Sequence, residues 1–259
     1  MNYETLICEI ENKVALVTIN RPPVNPLNSQ VFSELSQLLN ELEENDDVRV
    51  VVLTGSGEKA FVAGADIKEM ATKDLTGLNL MNKRSRAMFT QIENLSKPVI
   101  AAINGLALGG GFELALACDL RISSDKAKFS FPETGLGIIP GGGGTQRLQR
   151  IVGQGIAKEL IYFGDMIDAE KALELHLVNR VVPHEELLTE ALNWAGKLAE
   201  KPAVAISMAK QSINHGGYVD IESGLTIETA SFATAFSSED AKEGLTAFME
   251  KRKPVYVGK

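Results

Sequence analysis

The chain has 259 residues, 44% of them hydrophobic and 23% charged, and 34 Asp and Glu against 26 Lys and Arg give it a formal net charge of −8. That length supports one large domain, or a domain with an appendage, around a sizeable core. The acidic balance argues against a nucleic-acid-binding surface or an acidic membrane as the main partner, while leaving room for a local basic patch that meets a phosphate.

The opening segment, MNYETLICEIENKVALVTINRP, alternates like a pair of strands and has no basic region followed by an apolar core, so no signal peptide is expected. Leu6 to Ile10 and Val14 to Ile19 read as a hairpin across Glu11-Asn12-Lys13, ended by Arg21-Pro22-Pro23. Val31, Leu35, Leu38, Leu39 and Leu42 then recur at helical spacing behind a cap at Asn28-Ser29. Val48 to Leu53 is a continuous apolar strand, turned by Thr54-Gly55-Ser56-Gly57 toward Phe61-Val62-Ala63-Gly64-Ala65-Asp66. Asp66 opens a helix where the dipole favours negative charge, and a plain cap accounts for it equally well. From Ala71 to Arg86 the periodicity is weak and the charge mixed, which predicts a mobile helix or loop, and Met88 to Leu95 resumes helical spacing.

The stretch from Pro98 to Gly141 organises the rest. Val99 to Ile103 is a short β-branched run that favours a buried strand. Asn104-Gly105 breaks it, and Gly109-Gly110-Gly111 removes every Cβ before Phe112 to Cys118, which predicts a helix starting at or inside the glycines with Glu113 in its first turn. A helix N-terminus lined by glycine offers N–H groups to an anion or oxyanion, although the glycines alone fit close strand-on-helix packing equally well. Cys118 falls in this buried helix beside Leu116 and Leu120; with Cys8 it completes the cysteine count, so neither a disulfide framework nor a metal cluster is suggested and a reducing cytoplasm fits. Phe129 to Glu133 alternates and stops at Pro132, placing a second carboxylate, Glu133, at a strand end before the glycine run 141–144.

Beyond Gly144 the pattern predicts a helix from Thr145, another from Ile156 to Phe163, a capped helix from Asp168 to near His176, and a strand from Val178 to Val182 stopped by Pro183. From Glu185 onward only helices are expected: Leu187 to Leu198, Ala203 to Ile213, Ile221 to Phe236 and Asp240 to Lys251. Strands alternating with helices predict an α/β core followed by a helical C-terminal part. The glycine runs satisfy neither GxGxxG nor a P-loop, no GxSxG occurs, and His176, His184 and His215 lack a carboxylate in helical register, so dinucleotide, triphosphate, serine-triad and HExxH zinc chemistry are all poorly supported.

AxNGxAxGGGxExAxxCD, FxxPExxxGxxPGxGGTQRL and FVAGADIKEM, as they stand here, resemble the enoyl-CoA hydratase branch of the crotonase family over nearly the whole chain. The 21–28 segment fits that family's RPxxxNxLN opening approximately, with Pro26 an unusual insertion. The resemblance implies an α/β spiral of β-β-α units spanning 1–195, with a helical region, 196–259, that trimerises and pairs trimers into hexamers. It implies reversible syn addition of water to a trans-2-enoyl-CoA, giving a 3-hydroxyacyl-CoA, with no metal or redox cofactor and coenzyme A arriving as part of the substrate.

Carried over residue by residue, Glu113 and Glu133 become the catalytic pair, and the backbone N–H groups of Ala65 and Gly110 the donors to the thioester oxygen. Phe112, Leu114, Phe131 and Ile139 are expected as apolar walls that hold a carboxyl pKa up. Ala63, Asp66, Ile67, Lys68, Gly141 and Lys251 are expected near substrate or coenzyme A, with Phe232 or Lys251 reaching the pocket from a neighbouring subunit. The partners implied are an acyl-CoA thioester and copies of the chain itself, with no nucleic acid and no membrane. An enoyl-CoA isomerase needing only the carboxylate of Glu133 is the nearest alternative, and a non-catalytic acyl-CoA- or RNA-binding protein is the alternative from another class.

Overall fold

Asn12 and Lys13 both take positive φ, 51° and 66°, and so close a two-residue turn between strands β1 (Leu6–Glu11) and β2 (Val14–Ile19). These coordinates come from a computed structural model and describe residues 3–259; Met1 and Asn2, the start of the alternating segment, lie outside them. Asn28 caps helix α1 (Ser29–Glu44) by accepting the Val31 N–H at 3.0 Å, and the expected apolar stripe of Val31, Leu35, Leu38, Leu39 and Leu42 is buried. Each such side chain contributes about 2 kcal/mol relative to exposure.

Three β-β-α units follow. Strands β3 (Val50–Gly55) and β4 (Ala60–Ala63) lead to helices α2 (Ile67–Ala71) and α3 (Leu75–Asn94). Strands β5 (Val99–Ile103) and β6 (Leu106–Leu108) lead to α4 (Gly110–Ala117). Strands β7 (Leu120–Ser124) and β8 (Lys128–Ser130) lead through a 3₁₀ turn, Pro132–Leu136, to α5 (Gly144–Phe163). The first strand of each unit joins a six-stranded sheet ordered β1-β2-β3-β5-β7-β10, where β10 is Arg180–Val182, and the second joins a four-stranded sheet ordered β4-β6-β8-β9, where β9 is Ile167–Asp168. Successive units pair in parallel within each sheet, so the chain winds as a spiral. The elements that complete it are β9 (Ile167–Asp168), α6 (Ala169–Glu174), β10 (Arg180–Val182), α7 (Leu187–Ala199), α8 (Ala203–Gly216), α9 (Ile221–Phe236) and α10 (Glu239–Glu250).

Every residue of β3 and β5 is buried, as a parallel sheet covered on both faces requires. One face packs with α1, α3 and α4, and the other meets Leu187, Ala191 and Ala195 of α7. Gly111 lets α4 close on β4, since a Cβ there would stand 2.0 Å from the Val62 carbonyl oxygen.

Several expectations are corrected. Of the helix or loop expected around residues 75–86, the structure has the helix, the first twelve residues of α3; Asp74 caps it by accepting the Gly77 N–H at 2.8 Å, and Met81, Ser85, Met88, Phe89 and Ile92 make one buried stripe. The polar Ser85 within that stripe hid the period. Cys118 does not lie within a helix reaching Leu120: α4 ends at Ala117, and Leu120 begins β7, a strand the residue pattern did not reveal. Glu133 stands in the 3₁₀ turn just beyond β8 and not at the end of a strand running to Pro132. The two helices expected after Gly144 are present, as the halves of α5 on either side of a kink at the non-helical Gly153. Among the described residues no helix is long and apolar enough to cross a membrane.

Candidate active site

Glu113 is the fourth residue of α4 and only 3% exposed. Its Oε1 accepts the N–H groups of Gly142 at 2.8 Å and Gly144 at 2.7 Å, so the glycine run forms a cradle for this carboxyl. Burial pushes its pKa up; the N–H groups of Gly144 and Gly142 and the charge of Arg147 pull the other way. Glu133 is raised to about 7, first by burial and also by the charge of Glu113, and its Oε2 is buried with no partner. A Cβ on Gly109, whose φ is +48°, would strike Glu133 Oε1 at 2.5 Å, while one on Gly110 would lie 3.9 Å from Glu113 Oε2. The two carboxyls thus close on consecutive glycines of one turn.

The fold also aims two N–H groups at this place. Gly110 opens α4, where an N–H has no intrahelical acceptor. Leu27 bridges Ala65 in parallel: its N–H donates to Gly64 O at 2.9 Å and its carbonyl accepts the Asp66 N–H at 2.7 Å. That pattern turns the Ala65 N–H away from Leu27. A Cβ on Gly110 would sit 3.7 Å from Ala65 N, so both donors border one small volume beside Glu113.

Asp66 caps α2 by accepting the Glu69 N–H at 3.2 Å and pairs with Arg21 at 3.0 Å, which holds its carboxyl below its ordinary value. Its side chain is therefore committed to the brace around Ala65. Ala63 ends β4, Ile67 and Lys68 form the exposed start of α2, and Gly141 leads into the cradle beside Asn82 of α3. Phe232 is 67% exposed on α9, stacked on Phe236, and Lys251 ends α10 with φ of 54°. The structure brings neither to the carboxyl pair through any hydrogen bond or ring contact among the described residues.

Of the expected walls, Phe112 and Phe131 are buried and stacked at 4.8 Å, and Leu114 is buried in the core. Ile139 is exposed, so it is a rim residue and not a wall. Phe89 is a wall the residue pattern left unassigned: a Cβ on Gly142 would meet its Cε2 at 2.4 Å and Glu113 Oε2 at 2.8 Å, which puts the ring beside the carboxyl. Its place one residue after Met88 on the buried stripe of α3 was the available signal. Asn25 was missed as well; buried, with φ of 54°, its side-chain amide bonds Ser56 O and Ala60 O and locks the loop that carries Leu27. A cavity of about 520 Å³ lined by Arg49, Lys97, Lys201, Ser207 and the 257–259 tail is separate and contains neither Glu113 nor Glu133.

A folded-state pKa above the ordinary 4.5 means that Glu133 prefers its proton in the native protein. The stability this supplies is complete below about pH 4.5 and is lost as pH rises through about 7. Glu133→Gln, which cannot ionise, is expected to melt roughly 3 °C above the parent at pH 8.5, with the gap closing at pH 5. Melting curves at the two pH values measure this, and a gap independent of pH would contradict it.

The enoyl-CoA hydratase/isomerase family model matches residues 9–259. The chain is 48% identical over 254 residues to a short-chain-enoyl-CoA hydratase of Clostridium acetobutylicum, covering 98% of this chain and 97% of that one. It is 45% identical over 260 residues to a crotonyl-CoA hydratase of Syntrophomonas wolfei, covering 100% of both. In structure it is similar to an enoyl-CoA hydratase from Bacillus anthracis, with a TM-score of 0.95, 43% identity, and 99% and 100% of the two chains covered. A Mycobacterium smegmatis enoyl-CoA hydratase gives a TM-score of 0.93 at 33% identity, covering 97% of this chain and 98% of that one.

Proposed function

We propose, from the premise that this chain belongs to the enoyl-CoA hydratase/isomerase family and is an enoyl-CoA hydratase, that Glu113 and Glu133 divide the proton work of hydration between them. The observation that carries the division is the unlike setting of two adjacent carboxyls. Burial raises the Glu113 carboxyl, but it receives two N–H donors and faces Arg147, which oppose that rise and favour the anion, whereas Glu133, raised to about 7, keeps a buried, unpartnered oxygen with no such donors.

Glu113 takes a proton from water as the hydroxyl oxygen bonds to the β-carbon. The π electrons move toward the thioester oxygen, which the Ala65 and Gly110 N–H groups receive. Glu133 gives its proton to the α-carbon, leaving Glu113 protonated and Glu133 ionised until a proton passes back. No cofactor enters beyond the coenzyme A that the substrate carries.

Ala63, Ile67, Lys68 and Gly141 border the substrate in this reading, and Asp66 acts through the Arg21 brace. Short acyl chains are the proposed substrates, in line with the names of the two relatives above. The protein assembles as a trimer or a dimer of trimers in the cytoplasm, with 1–195 as the spiral core and 196–259 as the assembly region. Exposed Ile221, Leu225, Phe232 and Phe236 on α9 support that assembly, and they would let Phe232 or Lys251 of a neighbouring copy meet the coenzyme A.

The test is loss of the conjugated enoyl-thioester absorbance when the protein meets crotonyl-CoA. Hydration with product 3-hydroxybutyryl-CoA is expected. Binding without turnover would overturn the reading, and migration of a 3-enoyl double bond without hydration would favour isomerase chemistry.

A further inference from the structure

Arg147 and Glu93 are charges on the wrong ends of their helices. Arg147 is the fourth residue of α5, where the dipole disfavours a cation, and Glu93 is the penultimate residue of α3, where it disfavours an anion. Helix stability therefore does not explain them. The two form a fork, Nε to Oε1 at 2.6 Å and Nη2 to Oε2 at 2.7 Å, while the remaining arm of the guanidinium donates to Gly142 O at 2.8 Å. Gly143, with φ of +117°, makes the contact possible, since a Cβ there would lie 2.1 Å from Nη1.

We infer that Arg147, gripped by Glu93, is a positioning residue that fixes the 142–144 turn so that its N–H groups keep Glu113 aimed at the reacting water. The turn has no other side-chain tether among the described residues: Gly142 and Gly144 donate to Glu113, and Arg147 holds the carbonyl of Gly142. The charged groups facing Glu113 are Arg147 from α5 and Glu133 from the 3₁₀ turn. Arg147 opposes the burial that favours a neutral Glu113, so removing its charge moves Glu113 toward the protonated form.

The far side of the fork is anchored too. Asn214 of α8 donates to Glu93 O at 2.9 Å, and the buried Lys210 ammonium donates to Ile92 O at 3.0 Å, Lys97 O at 3.1 Å and Asp119 at 2.8 Å. Helix α8 thereby holds the end of α3 that holds Arg147, a path from α8 to the carboxyl of Glu113 made of direct contacts.

The inference rests on Glu113 acting as a carboxylate, and the experiment separates the two. Crotonyl-CoA hydration by the full chain is followed across pH for Arg147→Gln, Arg147→Lys, Glu93→Gln and Glu113→Gln, with circular dichroism giving the folded fraction. Arg147→Gln and Glu93→Gln are expected to lower kcat about 10- to 100-fold with KM within about threefold. In Arg147→Gln the acid limb of kcat moves to higher pH. Arg147→Lys keeps the charge and loses the fork, so its kcat falls about tenfold while the limb stays in place. An inactive Glu113→Gln beside an Arg147→Gln whose kcat and limb match the parent would overturn the positioning role alone. An active Glu113→Gln would overturn the reading of the site beneath it, and losses of kcat that only track the folded fraction would make the fork structural.

Discussion

Glu133→Gln is expected to lower kcat for crotonyl-CoA hydration by about 10²- to 10⁴-fold while leaving KM nearly unchanged. Gln fills the same space and cannot carry a proton to the α-carbon. The parent side chain can, because its carboxyl is raised to about 7 and its buried oxygen has no competing partner. Since the proposed step requires Glu133 protonated, hydration by the parent is expected to fall as pH climbs through about 7, and the substituted protein to lose that alkaline limb. Glu113→Gln should cost a similar factor, for it strips the water of its base. The double substitution should cost little more than the worse single one, because the two carboxyls serve one step. Steady-state kinetics across pH, with solvent-deuterium incorporation at the α-carbon, measures these outcomes. Activity of Glu133→Gln within tenfold of the parent would remove Glu133 from the proton path.

Much of this site was legible because its parts leave local marks. Three glycines before an unbroken helix former run locate the start of α4 and put Glu113 in its first turn; Pro132 marks where β8 gives way before Glu133. The amphipathic stripe of α1 and the continuous runs of β3 and β5 likewise carry their own period. What escaped was set by distant partners. Leu120–Ser124 becomes a strand because β5 and β10 flank it in the sheet, and the Leu106–Leu108 strand is three residues held by β4 and β8. Such pairings override local propensity. Phe89 comes beside the carboxyl, and Arg147 onto the turn that holds it, only after α3 and α5 fold against the glycine cradle, and neither spacing nor composition announces that. Ile139 failed as a wall for the opposite reason: an apolar residue in a glycine-rich turn stays at the surface unless a neighbour covers it.

Gly110→Pro is expected to reduce kcat by about 10²- to 10³-fold, the cost of deleting one donor to a developing oxyanion. Proline suits the purpose because Gly110 is the first residue of α4, a position where the missing N–H breaks no helical bond and the fixed φ is already helical. The preceding Gly109, at φ 48° and ψ −119°, mirrors the extended backbone that a residue before proline prefers, and glycine adopts the mirror image without strain. The helix should therefore form, with unchanged circular dichroism and a melting temperature near the parent's. Negative charge on the thioester oxygen grows as water attacks, so the lost donor lowers kcat, and the proline Cδ, standing where the N–H hydrogen pointed, is expected to weaken binding of the product coenzyme A thioester as well. Single-turnover hydration of crotonyl-CoA, set beside the product's dissociation constant, distinguishes the cases. A folded Gly110→Pro protein that turns over within about threefold of the parent would mean that the thioester oxygen sits elsewhere, and with it the water that Glu113 and Glu133 are placed to split.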